Sequence, residues 1–479
     1  MKAVAVKKSN EAPENGLMQT TLGAIGEYIN GRGFKKSEWS DSGLPIIRIQ
    51  DLTGTGKGHN YYNGEIAECH VVEPGDLLIS WSATLGVYIW DGPKAALNQH
   101  IFKVVSKIDK KLHYYLVQHI LEELYRKTHG SGMVHITKGK FEETPVSIPE
   151  SPEQQKQIVA KIEELFSHID AGIDALKQSK QLLKQYRQSV LKAAVTGELS
   201  KEWREQNKDK LELASKLLER ILQERRQKWE AQQMEQFKAK GKVPKDDGWK
   251  AKYKEPSAPD AEGFPEIPEE WIWSGFEQVA SPEKNSMKAG PFGSALKKQF
   301  YTESGYKIYG QEQVINGDPY YGDYYISEDK YQSLISCAIK PGDFLISLVG
   351  TIGKTLVLPE DCEPGIINPR LIKITFDKNI CQPNYAKIYV SSPVVKGIFS
   401  LSSHGGTMDV LNMNSLKSLP FPLPSLYEQK IICVEVDRIF TVIESMEKAI
   451  DYELQRSERL KQSVLQSAFG GNLIIGERN

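Results

Sequence analysis

The feature that most constrains this chain is a duplication with a very long period. Pro74–Ser80 reads PGDLLIS, and Pro341–Ser347 reads PGDFLIS, 267 residues further on. Gln188–Leu191 and Gln462–Leu465 both read QSVL and are 274 residues apart. Solenoid repeats have periods of about 20–50 residues, so these separations are too long for that architecture. The pattern instead predicts a globular domain followed by a helix, present twice, in a protein that reads two half-targets.

Composition places the chain among ordinary globular proteins. It has 479 residues, 40% hydrophobic and 26% charged, and a formal net charge of −1. This charge excludes a globally basic field but allows a basic face. The five cysteines form no Cys-x-x-Cys pair, which favours a reducing compartment and disfavours zinc. No apolar run approaches the roughly 20 residues of a membrane span, so we expect a cytoplasmic protein without membrane contact.

The first third of the chain predicts a mixed α and β domain. Residues 1–20 are polar and predict a tail, and the domain then covers residues 21–150. Leu44–Ile49 and Asp76–Trp81 predict strands because β-branched and leucine-rich runs are bounded by turn residues. Lys111–Thr128 predicts a helix, since its leucines and isoleucine fall on one stripe.

A long helix with a buried seam is predicted after this domain. Pro152 suits the first helical position and Gly197 ends the pattern. A seven-residue apolar repeat needs a partner helix, and the rod from Ile158 to Val195 would be about 55–60 Å long. The seam residues are Ile162, Ile169, Leu176, Leu183 and Val190, with Ile158, Leu165, Tyr186 and Ala193 at the companion positions.

The rest of the central region, residues 151–242, predicts a second helix, and a linker follows at residues 243–270. The second helix runs from about Lys201 to Lys240 and is highly charged. Its charges are either a solvated face or a docking surface for another subunit. The linker contains several prolines and glycines, which disfavour regular structure.

The second domain is predicted at residues 271–424, and a second seamed helix at residues 425–479. Two long helices of matching pattern are expected to pack on each other as an antiparallel coiled coil. The fold class is therefore α+β, with two mixed domains, two long helices and an approximate two-fold axis. One seam row contains Ile432, Ile439, Met446 and Leu460, and the other contains Val436, Ile443, Ile450 and Val464.

Enzyme motifs are incomplete. Val349–Thr355 resembles a phosphate loop, but the required first glycine falls on Leu348, and the other copy lacks the lysine. Asp318–Tyr321 is similar to the target-amine motif of adenine methyltransferases without its second proline, and predicts a turn. The sequence also lacks Gly-x-Ser-x-Gly and His-Glu-x-x-His motifs. We therefore predict no catalytic residues, no metal site and no cofactor in this chain.

Both domains contain loops whose side chains suit DNA. Arginine and lysine recognise guanine edges, glutamine recognises adenine, and lysines elsewhere neutralise phosphates. The alternative is that these are ordinary surface loops. The candidate DNA-binding residues are Arg32, Lys35, Lys36, Arg48 and Gln50 in the first copy, and Lys297, Lys298, Tyr309, Gln311 and Gln313 in the second.

A further corresponding pair is glycine-rich. His129–Met133 reads HGSGM, and His404–Met408 reads HGGTM. Loops without large side chains can approach a nucleic-acid backbone closely, and they can equally be flexible connectors. The two histidines are not predicted to bind a metal.

This layout resembles the specificity subunits of type I restriction-modification systems over almost the whole chain. The motif Pro-x-x-Glu-Gln, with one extra residue, stands at Pro149–Gln154 and Pro424–Gln429, and Phe264–Trp271 opens the second domain. Both helices contain Gln-Ser-Val-Leu-x-x-Ala-x-x-Gly-x-Leu. The opening motif is degraded before the first domain, where Pro13–Leu17 stands.

The resemblance implies a subunit without catalysis, in which each domain is a target recognition domain reading half of a split sequence in double-stranded DNA. The helices would set the unread gap and dock two methyltransferase subunits, which bind S-adenosylmethionine and methylate adenine N6. Motor-nuclease subunits using ATP and magnesium would complete the complex. Two other hypotheses remain: a protein-binding scaffold without DNA recognition, and a stand-alone nuclease or methyltransferase with hidden motifs.

Overall fold

The computed structural model describes residues 17–56, 58–126, 136–244, 246–348, 353–396 and 413–473. The chain divides into two compact units. Unit 1 contains residues 1–179 and 449–479, and unit 2 contains residues 180–448. Each unit therefore consists of one β-rich domain and parts of two long helices.

The domain of unit 1 is built on two four-stranded sheets, with strand orders β2-β9-β6-β7 and β4-β3-β8-β5, and on the pair β1-β10. The strands are β1 Leu17–Thr21, β2 Gly26–Asn30, β3 Leu44–Ile47, β4 Tyr61–Tyr62, β5 Val71–Val72, β6 Leu77–Ser80, β7 Gly86–Ile89, β8 Ala95–Leu97, β9 Ile101–Ser106 and β10 Pro145–Pro149. The helices are α1 Leu22–Ile25, α2 Ile49–Leu52, α3 Lys110–Arg126 and α4 Lys138–Glu142.

Two predicted boundaries in unit 1 were wrong. Residues 17–20 are not part of a tail, because β1 begins at Leu17 and pairs antiparallel with β10, from Leu17↔Pro149 to Thr21↔Pro145. The predicted strand Leu44–Ile49 ends at Ile47, because Asp51 accepts the backbone N–H of Arg48 at 2.8 Å and starts a helical turn.

The central region contains α5 Pro152–Val195, α6 Lys201–Gln206 and α7 Ala214–Ala239. Gly197 ends α5 as predicted, with a φ of +81° that favours glycine. The predicted single helix Lys201–Lys240 is two helices. Leu217, Leu218 and Ile221 on α7 are buried in the core of the second domain, so this charged helix has a packed apolar face.

The domain of unit 2 contains two four-stranded sheets, β12-β19-β16-β17 and β13-β15-β14-β18, and the pair β11-β20. The strands are β11 Ile272–Gly275, β12 Met287–Ala289, β13 Tyr301–Thr302, β14 Tyr306–Tyr309, β15 Tyr325–Ile326, β16 Phe344–Ser347, β17 Thr355–Val357, β18 Gly365–Ile367, β19 Leu371–Ile374 and β20 Pro420–Leu423. The helices are α8 Phe276–Val279, α9 Gln311–Asn316, α10 Glu328–Ser333, α11 Pro383–Ser391, α12 Met413–Lys417 and α13 Leu426–Phe469.

The repeated Pro-Gly-Asp motif has a structural role. Gly75 and Gly342 take φ values of +87° and +82°, and the following aspartates close the turn. Asp343 accepts the backbone N–H of Lys340 at 2.8 Å and lies 3.7 Å from the ammonium of Lys373 on the neighbouring strand. In unit 1, Asp76 and Lys103 form the same pair at 2.8 Å. The motif therefore fixes a turn and a cross-strand ion pair.

A buried glutamine joins each long helix to its domain. Gln429 accepts the backbone N–H of Gln382 at 2.8 Å and donates to the carbonyl of Pro424 at 3.1 Å. In unit 1 the same contacts are made by Gln155, which accepts from Asp109 at 3.0 Å and donates to Pro149 at 2.9 Å. The residue of unit 1 that is equivalent to Gln429 is therefore Gln155, which directly follows the motif Pro149–Gln154. Gln154 itself is exposed.

Nine of the predicted seam residues, the five of the α5 row that contains Ile162 and the four of the α13 row that contains Val436, are all at least half-buried. Five are buried and four are half-buried; the buried ones are Ile162, Val190, Val436, Ile443 and Val464, and the half-buried ones are Ile169, Leu176, Leu183 and Ile450. Within unit 1, Asp170 of α5 forms an ion pair with Lys461 of α13 at 2.5 Å. Within unit 2, Arg187 of α5 lies 3.4 Å from Glu447 of α13. Later residues of α5 thus meet earlier residues of α13, which makes the helices antiparallel.

Three other residues assigned to the seam rows are exposed: Tyr186, Met446 and Leu460. A strict heptad pattern predicted them to be inside. Ile173, which the pattern did not include, is buried at 6% exposure. An α-helix has 3.6 residues per turn, so a seven-residue repeat drifts around the helix, and the buried stripe leaves the predicted positions.

Glu428, at the start of α13, is the centre of a buried polar cluster in unit 2. Its carboxylate accepts hydrogen bonds from Ser200 Oγ at 2.7 Å, Arg204 Nη1 at 2.7 Å and Trp271 Nε1 at 2.9 Å. Glu428 is 1% exposed and Arg204 8% exposed. We call these four residues the Glu428 cluster. It ties α6 and the entrance of the second domain to α13.

The predicted linker, residues 243–270, is partly packed against α7. A 3-10 helix spans Asp247–Lys252, and the ring of Trp249 within it stacks on Trp229 of α7 at a centroid distance of 5.9 Å. The ring of Tyr253 lies 5.2 Å from the same tryptophan. Aromatic contacts therefore hold the start of this segment to the helix.

Candidate nucleic-acid interface

Exposed lysine pairs occupy the same place in both domains. In unit 1, Lys35 immediately precedes a 3-10 turn that runs from Lys36 to Glu38. In unit 2, Lys297 immediately precedes a 3-10 turn that runs from Lys298 to Phe300. All four lysines are exposed. Lysines at fixed positions on a shared scaffold suit phosphate groups, which position a protein on DNA without specifying sequence.

The second element is an edge where two parallel strands end side by side. β3 and β8 run parallel in unit 1, with Ile47 beside Leu97, and β14 and β18 run parallel in unit 2, with Tyr309 beside Ile367. We call the residues that follow these strands the parallel-strand edge. It comprises residues 48–50 and 98–100 in unit 1, and residues 310–312 and 368–370 in unit 2.

A glycine allows a loop to pass close to this edge in each domain. Gly31 donates its backbone N–H to Ile101 at 3.1 Å, and Gly290 donates to Leu371 at 2.9 Å. A Cβ atom on either glycine would overlap the carbonyl of the asparagine at the edge, Asn98 or Asn368. The start of the segment 31–36 is thus held in place.

Arg32 lies in this loop in a mixed aromatic and acidic environment. Its guanidinium forms an ion pair with Glu38 and lies 5.1 Å and 4.8 Å from the ring centroids of Phe34 and Tyr62. Its side chain is about one-third exposed, at 32%. The ion pair with Glu38 uses one nitrogen of the guanidinium, which has five N–H donors in all.

Arg48 and Gln50 are at the parallel-strand edge of unit 1. Gln50 is exposed and Arg48 half-buried, with its guanidinium 6.0 Å from the ring centroid of Trp39. The Nε atom of Arg48 is buried and has no hydrogen-bond partner among the described residues, and the same is true of Nδ1 of His100 across the edge. Both atoms are shielded from solvent, so they mark an incompletely satisfied part of the edge.

In unit 2 the edge contains an ordered polar chain. Gln311 donates from Nε2 to Ser347 Oγ at 2.9 Å, and its Oε1 accepts from Arg370 Nη1 at 3.2 Å. Arg370 was not among the predicted residues. The signal that could have found it is the repeat Leu97–Phe102 and Ile367–Ile372, which read LNQHIF and INPRLI. The asparagine two residues before His100 or Arg370 accepts the backbone N–H of that residue in both domains.

Two residues predicted to bind DNA, Tyr309 and Gln313, have side chains that face the core. Each is 1% exposed. The Tyr309 hydroxyl donates to the carbonyl of Glu363 at 2.8 Å, and burial raises its pKa above the ordinary value. Gln313 accepts the backbone N–H of Gly310 and donates to the carbonyl of Tyr321. Neither side chain has a free polar group for DNA.

The glycine-rich loops His129–Met133 and His404–Met408 lie outside the described residues, as does most of the loop that resembles a phosphate-binding motif. In the described ranges, no three His, Cys, Asp or Glu residues are placed to hold a metal ion. The described helices likewise include none with the length and hydropathy required to cross a membrane.

An exposed apolar row follows the side of α13 opposite its buried seam. Tyr427, Val434 and Val442 are 62%, 67% and 45% exposed. Their spacings of seven and eight residues place them on one helix face. We call these three residues the apolar row. Apolar groups aligned in this way on a helix are typical of a surface that another protein covers.

Comparison with sequence families gives a match over most of the chain. The family described as type I restriction modification DNA specificity domain matches residues 15–185 and again residues 292–456. The chain is 26% identical over 462 residues to the type I restriction enzyme EcoBI specificity subunit of Escherichia coli. That alignment covers 95% of this chain and 86% of the relative.

Two solved structures have a similar fold. One, described under the structural basis of complex assembly and conformational transition of the type I R-M system, has a TM-score of 0.62 at 16% identity. It covers 97% of this chain and 100% of the other. The HsdS subunit from Thermoanaerobacter tengcongensis has a TM-score of 0.50, also at 16% identity, with the same coverage.

Proposed function

This chain belongs to the family of DNA specificity subunits of type I restriction-modification systems, and on that premise we propose that each of its domains reads one half of a two-part target in double-stranded DNA. The first reading domain would comprise residues 17–150 and the second residues 271–424. The family supplies sequence specificity and not catalysis. The molecule would act in the cytoplasm.

One observation carries this proposal: the two domains share their lysine turns and differ at the parallel-strand edge. Lys35–Lys36 and Lys297–Lys298 are equivalent. Arg48 and His100 at the first edge are replaced by Gly310 and Arg370 at the second. Phosphate contacts can be the same on any sequence, whereas contacts to base edges must differ between different targets. This division between constant and variable positions favours two reading heads with two different targets.

We further propose that α5 and α13 keep the unread stretch between the half-targets constant. Each helix has 44 residues and is thus about 66 Å long. One turn of DNA is about 34–36 Å, so a helix of this length exceeds the spacing of two sites one turn apart. The buried seams and the ion pairs Asp170–Lys461 and Arg187–Glu447 would keep the two helices in register.

The apolar row is the proposed docking surface for one of two methyltransferase subunits, which would bind S-adenosylmethionine. Motor-nuclease subunits would bring ATP and magnesium. Val434→Asp should lower the amount of methyltransferase that co-purifies with the tagged chain, because it puts a charge into an apolar interface. Gln455→Asp, at an exposed position of α13 more than three turns beyond the row, is the matched control. Equal co-purification with both variants would contradict docking at this row.

DNA reading is tested by selecting binding sites from a random double-stranded library with the complete complex purified from its own cells. We expect two short conserved blocks separated by a gap of fixed length and variable sequence. Binding should weaken steeply with salt, because lysine–phosphate contacts release counterions. A single continuous motif would refute the proposal that the two domains read two separate half-targets. Salt-insensitive capture of a protein without DNA affinity would favour the scaffold hypothesis.

A further inference from the structure

We infer that Arg370 is the specificity-determining residue of the second domain, that it recognises a guanine through the major groove, and that Gln311 positions it. This inference rests on the proposed function, since it requires that the second domain reads DNA. It names the base class that one side chain at the parallel-strand edge would select.

The guanidinium of Arg370 is exposed and yet oriented. Its Nη1 donates to Gln311 Oε1 at 3.2 Å, and Gln311 is in turn held by Ser347 Oγ at 2.9 Å. The bond to Gln311 is the only hydrogen bond of the Arg370 guanidinium among the described residues, and the residue is exposed. A guanidinium with one edge fixed and the other available has the fork geometry that matches guanine O6 and N7.

The backbone beneath Arg370 is also fixed. Its N–H donates to Asn368 Oδ1 at 2.9 Å, and its carbonyl accepts the N–H of Leu348 at 2.9 Å. Recognition of a base requires such positioning, because a side chain on a mobile loop loses more conformational entropy on binding. A lysine bound only to phosphate needs no comparable support, and Lys297 has no hydrogen bond to its side chain among the described residues.

The first domain places its arginine on the other strand of the pair. Arg48 follows β3, where the second domain has Gly310, and His100 follows β8 at the place of Arg370. Ile49 stands where Gln311 stands and cannot hold a guanidinium by a hydrogen bond. The arginine thus follows the first strand of the parallel pair in one domain and the second strand in the other. We therefore expect the two half-targets to require guanine at different positions relative to the strands.

The test selects DNA from a random library with complexes containing wild-type chain, Arg370→Ala, Arg370→Lys or Lys297→Ala. The wild-type motif should contain a G·C pair in the second block that becomes degenerate in Arg370→Ala. Discrimination at that pair should fall about 5- to 150-fold. The first block should not change. Arg370→Lys should discriminate less than wild type, because lysine lacks the fork.

Gln311→Ala separates positioning from charge. It should relax the same base pair by a smaller factor while the salt dependence stays unchanged. Lys297→Ala, the matched control, should weaken binding uniformly, lower the salt slope by about one and leave the motif unchanged. Thermal unfolding should be the same for all variants, since the substituted side chains lie at the surface or at its edge.

The outcomes are distinguishable. If wild-type complex selects two blocks and Arg370→Ala selects the same two with equal stringency, Arg370 does not read a base, and the proposed function stands. Uniform weakening by Arg370→Ala with an unchanged motif would make Arg370 a phosphate contact and overturn the inference. If wild-type complex selects no two-part motif, the proposed function itself fails before any variant is compared.

Discussion

Replacing Glu428 by glutamine should destabilise unit 2 and leave unit 1 unaffected. The substitution removes the charge that Arg204 faces at 2.7 Å, in a place where Glu428 is 1% exposed. Removing one partner of a buried ion pair costs about 3–5 kcal/mol. In the variant, Arg204 would still donate to the carbonyl of Gly197 at 3.0 Å and lie 3.6 Å from the carboxylate of Glu270. We therefore expect a loss of stability at the lower end of this range, about 3 kcal/mol.

Hydrogen exchange followed by mass spectrometry resolves this effect by segment. A loss of about 3 kcal/mol corresponds to about 150-fold faster exchange in the peptides of unit 2 that open globally. Gln154 occupies the position equivalent to Glu428 in the first copy and is exposed, so Gln154→Ala is the matched control and should change nothing.

A double variant tests the reasoning further. Arg204→Met combined with Glu428→Gln should lose less stability than the sum of the two single variants, because the second change no longer leaves a buried charge alone. If exchange in unit 2 accelerates less than about fivefold in Glu428→Gln, the cluster contributes under about 1 kcal/mol. The explanation of how α6 and α13 are joined would then be wrong.

Three further predictions concern single groups. Burial lowers the pKa of His113 from 6.5 to about 4. As the pH falls through this range, the unfolded chain protonates His113 before the folded chain does, so the free energy of unfolding of unit 1 should fall by up to about 3 kcal/mol. His113→Gln should flatten this part of a plot of unfolding free energy against pH. Gly290→Ala should lower the unfolding temperature of unit 2, since its Cβ would overlap a backbone carbonyl and overpacking costs about 1–3 kcal/mol. Gly172 lies on a helix, and a Cβ atom there would meet open space. Gly172→Ala should therefore raise the stability of unit 1 by up to about 1 kcal/mol. If both substitutions changed stability in the same direction by the same amount, the packing argument would be contradicted. Ile443→Asp should accelerate hydrogen exchange along α13, because Ile443 is 1% exposed. Ser445→Asp, at an exposed position, should not. Wild-type protection in Ile443→Asp would refute the claim that this row is a buried helix–helix contact.

The sequence predicted the elements that local pattern determines. The helix predicted at Lys111–Thr128 and found at Lys110–Arg126 follows from apolar periodicity, as do the two long helices. The antiparallel packing of the long helices and the equivalence of the two lysine turns follow from the duplication. The strongest repeats turned out to be structural. Pro-Gly-Asp is repeated because its aspartate closes a turn and pairs with a lysine on the next strand, so the conservation between copies marks the scaffold.

The interface was harder to predict because it depends on tertiary contacts. Tyr309 and Arg370 both carry groups that suit DNA, and only the course of β14 and β18 turns the first inward and the second outward. Arg370 meets Gln311 across 59 residues of sequence. A parallel pairing of strands brings these residues together, and no local pattern in the chain encodes it.

The division of each unit between distant segments has a consequence for synthesis on the ribosome. The core that contains Leu22, Leu77 and Phe102 also contains Val464 and Leu465. The domain made first therefore remains incomplete until the end of α13 has left the exit tunnel, whereas the core of the second domain needs only the first turns of α13, which carry Ile432 and Val436. The amino-terminal domain should thus mature last, and a premature stop codon near residue 449 should expose its apolar interior to chaperones and proteases.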